Sequence, residues 1–342
     1  MSKLKLFPGL CLAALLATVA PPALRAAAPF QLAAAPSRVV VEGVTYVDAA
    51  AFFGRHGLKG KWLEPQRRQA FSSTWTRVEI EADQREICLN GLRVFLGEAT
   101  VLRGRSLYLP QIDADRLLAP ILRPAGIGDA PRLRTIVIDA GHGGRDSGTL
   151  NAKLKLQEKT YTLDVARRLA ALLGHGEWRV VLTRDDDRFI ELGERAAQAT
   201  AARADLFISI HFNAVAQGAA VKGTETYILT PRHQRSTSSA KRSPSDDEDQ
   251  PGNAHDPWNA VLGYQVHRHL LEKLGTADRG LKRARFAVLR LATCPAVLVE
   301  AGYLSNDDEA RKIATERYRA DIAEAVANAV KAYAAALATV RR

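Results

Sequence analysis

From Leu133 to the C-terminus, strand-like and helix-like runs alternate, and this alternation restricts the fold more than any other feature of the chain. "TIVID" (135–139), "WRVVLTR" (178–184), "LFISIHFNA" (206–214), "GTETYIL" (223–229) and "AVLVEAG" (296–302) are short and apolar or β-branched. Helical spacing is predicted over 158–173, 192–204, 260–274 and 317–337. In the last of these Ile322, Val326, Val330, Tyr333 and Leu337 fall on one face. Such a pattern predicts an α/β domain with a mainly parallel twisted sheet flanked by helices, spanning 133–342. The pattern fails between 231 and 258, where "PRHQRSTSSAKRSPSDDEDQPGNAHDPW" has neither period. This is expected to be a mobile polar surface insertion.

Ahead of this domain, residues 36–122 carry short β-type runs such as "SRVVVEG", "TRVEIEA" and "EICLNGLRVFL". Asn90-Gly91 between two alternating runs predicts a tight hairpin, and Asp48 predicts the cap of a helix beginning "AAAFF". A small β-rich domain is therefore expected, joined through the Pro/Gly segment 123–132. No cluster of catalytic residue types occurs in it. A structural spacer and a binding module are both open readings; in its short β-type runs the unit loosely resembles the stalk or wall-placement domains found ahead of secreted cell-wall enzymes.

The first 28 residues have a basic start (Lys3, Lys5), an apolar run over 6–19 and small residues over 23–28. They predict a secretory signal peptide, hence an exported protein of the periplasm or cell envelope with no stable membrane span after its removal. Of three cysteines, Cys11 would leave with the signal. Cys88 and Cys294 are expected to be buried thiols, too few for a cysteine-ligated zinc site. The formal net charge of +11 favours an anionic partner. For an exported chain that points to an anionic polymer or a membrane surface and away from nucleic acid.

Functional residues of open α/β sheets gather at the carboxyl ends of the strands. Three such ends carry chemistry: His142 after "TIVIDAG", His211 in "LFISIHFNA" and Glu300 in "AVLVEAG". A carboxylate closing a wholly apolar run needs a cation, a partner or a catalytic task. Two imidazoles and one carboxylate form a zinc set with an open position for water. The carboxylate ligand stays open at this level. Glu300 is one candidate and Glu158 another, although an acid in the first turn of a helix is also favoured by the macrodipole alone. "GHGGRDSG" lacks the Lys-Ser/Thr ending of a P-loop and is not GxGxxG, so a phosphate cradle is disfavoured. Asp139 is a candidate to orient a ligand imidazole. Arg283 and Arg285 are candidates to meet substrate carboxylates, or else solvated surface arginines.

"VIDAGHGGRDSGT", "QEKTYTLDVARRL", "TRDDDRFIELGERAAQA", "ADLFISIHFNA", "GTETYIL", "DRGLKRARFAVLR" and "PAVLVEAGYLSN" occur in that order over about 133–333. In motif order and spacing the chain resembles the zinc-dependent N-acetylmuramoyl-L-alanine amidases. The resemblance implies zinc held by His142, Glu158 and His211, with Glu300 as the acid/base for hydrolysis of peptidoglycan. Some members carry, at the place of the insertion, a helix that covers the zinc until an activator protein moves it. The resemblance thus also implies an activator acting on 231–258, where Glu248 is the glutamate available to block the site. Two rival readings are a catalytically silent wall-binding or regulatory protein on the same fold, and a zinc amidohydrolase of small N-acyl amino acids. Intact residues at all four positions disfavour the first, and the export signal disfavours the second.

Overall fold

A computed structural model of the chain describes residues 38–215 and 220–340. The expected signal peptide, 1–28, lies outside them. No helix of the described residues is long and apolar enough to cross a membrane.

Nine strands precede residue 111: β1 (Arg38–Val41), β2 (Val44–Asp48), β3 (Lys59–Glu64), β4 (Arg68–Ser72), β5 (Arg77–Glu81), β6 (Glu86–Leu89), β7 (Leu92–Phe95), β8 (Val101–Arg103) and β9 (Ser106–Pro110). The hairpin signal is realised at β6–β7, where Leu89 pairs with Leu92. Asn90 and Gly91 both take positive φ (53° and 84°), the geometry that matches a two-residue turn to the twist of its strands. The helix Ala49–Arg55 is capped as expected, Asp48 Oδ1 accepting from the Ala51 amide at 2.8 Å.

The second part contains β10 (Thr135–Ala140), β11 (Leu150–Asn151), β12 (Leu156–Gln157), β13 (Arg179–Leu182), β14 (Leu206–Asn213), β15 (Thr224–Leu229), β16 (Asp278–Ala284) and β17 (Ala296–Tyr303). The long helices are Glu158–Gly174, Leu192–Ala201, Asp256–Leu274 and Glu316–Val340. Strand order in the main sheet is β13-β10-β14-β17-β15-β16-β7-β6-β5-β4-β3. Pairs from β13 to β17 are parallel, β17–β15 is antiparallel, β15–β16 and β16–β7 are parallel, and the remainder are antiparallel. The result is a mixed α/β sheet. Its N-terminal strands continue the same sheet through the single register pair Leu281–Val94.

Alternation along the central strands assigns the two faces. Ile136, Ile138, Ile208, Ile210, Val297 and Val299 join Val94, Ile87 and Phe71 in one continuous core beneath the three longest helices. Val137, Phe207 and Leu298 face the other way, toward Ala199 and the turn at Val288 and Leu289. By the same two-residue period, His211 and Glu300 share the face of Phe207 and Leu298. They stand where that smaller core gives out at the carboxyl end of the sheet.

The 231–258 segment departs from expectation. It is not a loose loop but is bound to the N-terminal part and to β16. The Arg85 guanidinium donates to the carbonyls of Ser236 (3.2 Å), Thr237 (3.3 Å) and Ser239 (3.2 Å). Buried Asp113 accepts from the Gly97 amide, from Gln234 Nε2 at 2.8 Å and from Arg283. Arg285 pairs with Asp246 at 2.6 Å. Arg283 and Arg285 are thus neither free surface arginines nor part of the lining of the cleft. They fasten the insertion. Polar anchoring of backbone carbonyls leaves no trace in a hydrophobic pattern, which is why composition suggested mobility. Cys88 and Cys294 are free; Cys294 is buried as expected, whereas Cys88 is half-buried.

Candidate metal centre

His142 follows β10 in a loop whose glycines are required by what lies against them. A Cβ on Gly141 would sit 2.3 Å from the His211 ring. At Gly148, where φ is +63°, it would sit 2.6 Å from both Glu158 Oε2 and His142 Cδ2. His142 itself has φ +61°, a conformation disfavoured for a residue with a side chain, so its surroundings must hold it. Arg195 does so. Its guanidinium donates to the carbonyls of His142 and Ala140, each at 2.8 Å, and to buried Asp139 Oδ1 at 2.8 Å.

Three side chains converge there. Glu158 Oε1 lies 3.1 Å from His142 Nε2 and 3.0 Å from His211 Nδ1, and the two nitrogens are 3.2 Å apart. Tetrahedral zinc bonds of about 2.0–2.2 Å place neighbouring ligand atoms about 3.3 Å apart. The donor triangle is therefore the size a bound cation of that kind requires, and two imidazoles with one carboxylate are a donor set that suits zinc. Among the described residues this is the cluster of His, Cys, Asp and Glu whose donor atoms close around one point.

Glu158 and His142 are each oriented by further contacts. Glu158, the first residue of its helix, accepts from the Thr149 amide at Oε2 (2.8 Å) and from the Phe212 amide at Oε1 (2.9 Å). Burial alone would raise its pKa, but hydrogen bonds from His142 and His211 hold the carboxyl well below the usual carboxylate range. His142 shows the reciprocal balance. Burial disfavours its charge, yet the carboxylates of Glu158 and Asp146 raise it above the ordinary imidazole value. Asp146 Oδ2 lies 2.9 Å from His142 Nδ1. A carboxylate in that position keeps the proton on Nδ1 and turns the Nε2 lone pair to the centre.

Glu300 stands beside this triangle, in register with His211 on β14 and with Glu225 on β15. Its Oε2 is enclosed and has no hydrogen-bond partner among the described residues. Burial first, then the charges of Glu158 and Glu225, push its carboxyl well above the ordinary value. A bound cation would act in the opposite direction on the same group. The residues border a cleft of about 420 Å³ that also includes Phe212, Asn213, Phe286 and Leu298. No residue of 231–258 lines it. Glu248 bonds Gln250 instead, at 3.1 Å.

All four residues singled out from the sequence thus meet at one cleft. Asp139 does not touch an imidazole. It accepts from Thr183 (2.7 Å), Ser209 (2.7 Å) and Arg195, so its place is beneath the loop. Sequence reasoning missed Asp146, which a carboxylate four residues beyond a ligand histidine in a glycine-rich loop could have suggested. It also missed Arg195 and Glu225. Glu225 accepts from Lys282 (2.6 Å), Tyr303 (2.6 Å), Tyr227 (2.6 Å) and Asn213 (2.9 Å), partners drawn from four strands that no local pattern links.

Two imidazoles at the carboxyl ends of parallel strands, a carboxylate at a helix start and a second carboxylate alongside have the layout of a metal-assisted hydrolase. The family model Amidase_3, N-acetylmuramoyl-L-alanine amidase, matches residues 136–332, and the chain belongs to that family. Escherichia coli N-acetylmuramoyl-L-alanine amidase AmiC is 33% identical over 253 residues, covering 67% of this chain and 60% of that protein. Bacillus subtilis YqiI is 34% identical over 200 residues, covering 58% of this chain and 84% of that one. The solved N-acetylmuramoyl-L-alanine amidase of Clostridium difficile 630 aligns with a TM-score of 0.49 at 31% identity, over 59% of this chain and 96% of that structure.

Proposed function

We propose that the protein is an exported zinc amidase that hydrolyses the bond between the lactyl group of N-acetylmuramic acid and L-alanine in peptidoglycan. The observation that carries this reading is the 3.0–3.2 Å triangle of His142, Glu158 and His211 donor atoms beside the unpartnered carboxyl oxygen of Glu300. When bound there, zinc would supply a Lewis acid and lower the pKa of a water in the cleft.

The chain's own residues do the rest. Glu300 takes the proton of the attacking water and returns it to the departing L-alanine amine. An oxygen without a fixed partner suits that traffic, because no hydrogen bond has to be broken first. Asp146 and the two backbone amides on Glu158 keep His142 and Glu158 aimed at one point, so little rearrangement accompanies the reaction. Leu298 and Phe286 form an apolar wall that thins the water around the scissile bond. An activator acting on 231–258 would work through the seam with the N-terminal part, since the insertion leaves the cleft uncovered. The N-terminal part, 36–122, would place the catalytic part on the wall.

Labelling of new amino termini in purified peptidoglycan tests the activity. L-alanine is expected as the new terminus; new reducing sugars, or D-alanine termini alone, would contradict it. Asp146→Ala is expected to weaken zinc binding about 10–100-fold with the fold intact, because His142 loses the partner that fixes its Nδ1 proton. Competition with a chromogenic chelator measures this, and unchanged affinity would remove Asp146 from the centre.

A further inference from the structure

The face that carries Glu300 does not stop at the cleft. Glu225 is the register partner of Glu300, and Tyr227, two residues on, donates its hydroxyl to Glu225 at 2.6 Å. Tyr227 is the register partner of Lys282 on β16. The Lys282 ammonium lies 5.9 Å from the centre of the Tyr227 ring and 5.7 Å from that of Phe95. Phe95 belongs to β7 in the N-terminal part, and the Arg93 guanidinium stands 5.7 Å from the same ring. Leu281 and Val94, the pair that joins the two parts, are buried in the helix-side core, so Lys282 and Phe95 project from the opposite, catalytic face. Phe286 closes the row at the cleft. It lines the cleft, packs edge-on against Tyr227 with ring centres 5.1 Å apart, and is 40% exposed.

We propose that this row, Phe286–Tyr227–Lys282–Phe95–Arg93, is a binding surface for the glycan–peptide chain of the polymer cut in the cleft; it rests on the amidase reading above. Three features on the molecule fit that occupant. The row is continuous with the cleft through Phe286, so a chain with its amide at Glu300 runs on along it. From β17 to β7 it crosses three strand spacings, about 14 Å, an extended path of the kind a polymer follows. Ring faces suit a ligand of sugar CH faces, while Lys282, paired with Glu225 at 2.6 Å, holds the rings in place and the exposed part of Arg93 is left to meet peptide carboxylates. Arg93 is held by Glu86 at 2.5 Å yet leaves 42% of its side chain exposed. The N-terminal part thereby contributes contact residues to the substrate rather than acting as a spacer alone.

The test is co-sedimentation of the full-length chain with purified, insoluble peptidoglycan, in a Glu300→Ala background and over a short incubation so that cleavage is suppressed. Phe95→Ser and Arg93→Gln, made separately, are each expected to raise the apparent Kd about ten-fold, while Phe95→Tyr, which keeps the ring, binds as the parent does. Unfolding temperature identifies any variant lost to misfolding, and the two positions test the surface independently. Parent-like binding by folded Phe95→Ser and Arg93→Gln would overturn the proposal. Retention of duplex DNA equal to that of peptidoglycan, and lost in the same variants, would mark a general polyanion surface and overturn it as well. Binding is read here without turnover. Failure of the amidase reading would appear instead in the wild-type cleavage assay.

Discussion

Glu300→Ala is expected to lower kcat for muramoyl–L-alanine cleavage about 10²–10⁴-fold while the zinc content stays at the wild-type level. The carboxylate is not one of the three convergent donors, so its loss leaves the triangle of His142, Glu158 and His211 in place. It also removes a buried carboxyl whose Oε2 has no partner among the described residues, so the variant should be at least as stable as the parent. Loss of activity with gain of stability separates a catalytic group from a structural one. Glu300→Gln sharpens the test. It keeps the volume and removes the proton acceptor, and is expected to be as inactive as alanine. A fully active Glu300→Ala protein, or one that has lost its zinc, would remove Glu300 from the assigned role.

Arg195→Ala carries the second large effect, and here it falls on stability and metal together. Asp139 is fully buried, and Arg195 supplies its only charged hydrogen bond among the described residues. Stranding a buried carboxylate costs about 3–5 kcal/mol. The same guanidinium holds the carbonyls of Ala140 and His142, and so fixes the strained backbone that presents the imidazole. Zinc affinity should fall about 10–100-fold alongside the stability. The effect has a pH signature. Burial pushes the Asp139 pKa up, but Arg195 and Ser209 bring it below the ordinary value. A depressed carboxyl contributes stability above the unfolded-state pKa and loses it as the pH falls through the folded one. The gap between parent and variant should therefore be widest near neutrality and narrow in acid. Denaturant unfolding at several pH values measures the first effect and chelator competition the second. A variant as stable as the parent at pH 7 would contradict the account.

His142, His211 and Glu300 were legible in the sequence because strand-end position is a local property. A run of β-type residues ending in a histidine or a glutamate announces its place in the sheet without knowledge of the neighbours. Glu158 was not legible in that way. A first-turn acid has an adequate explanation in the helix dipole, and only the ordered motifs singled it out. Asp139 was read by the right chemistry at the wrong partner, since a strand-end carboxylate can bond an imidazole or a guanidinium and the sequence does not say which. The joining of the two parts into one sheet depends on one long-range register between β7 and β16, which no window along the chain contains. Arg85, Asp113, Arg283 and Arg285 were illegible for the same reason. Their partners lie far away along the chain, in a segment whose polar composition resembles that of a loose loop.

The central claim is that His142, Glu158 and His211 hold a zinc ion on which amide cleavage depends. Metal analysis of the purified protein by mass spectrometry, before and after chelation and zinc return, tests it most directly when read beside cleavage of peptidoglycan. About one zinc per chain is expected, with cleavage that falls with the zinc and recovers with it, and neither in Glu158→Gln or His211→Ala. Full cleavage by protein stripped of zinc and other divalent cations would contradict it.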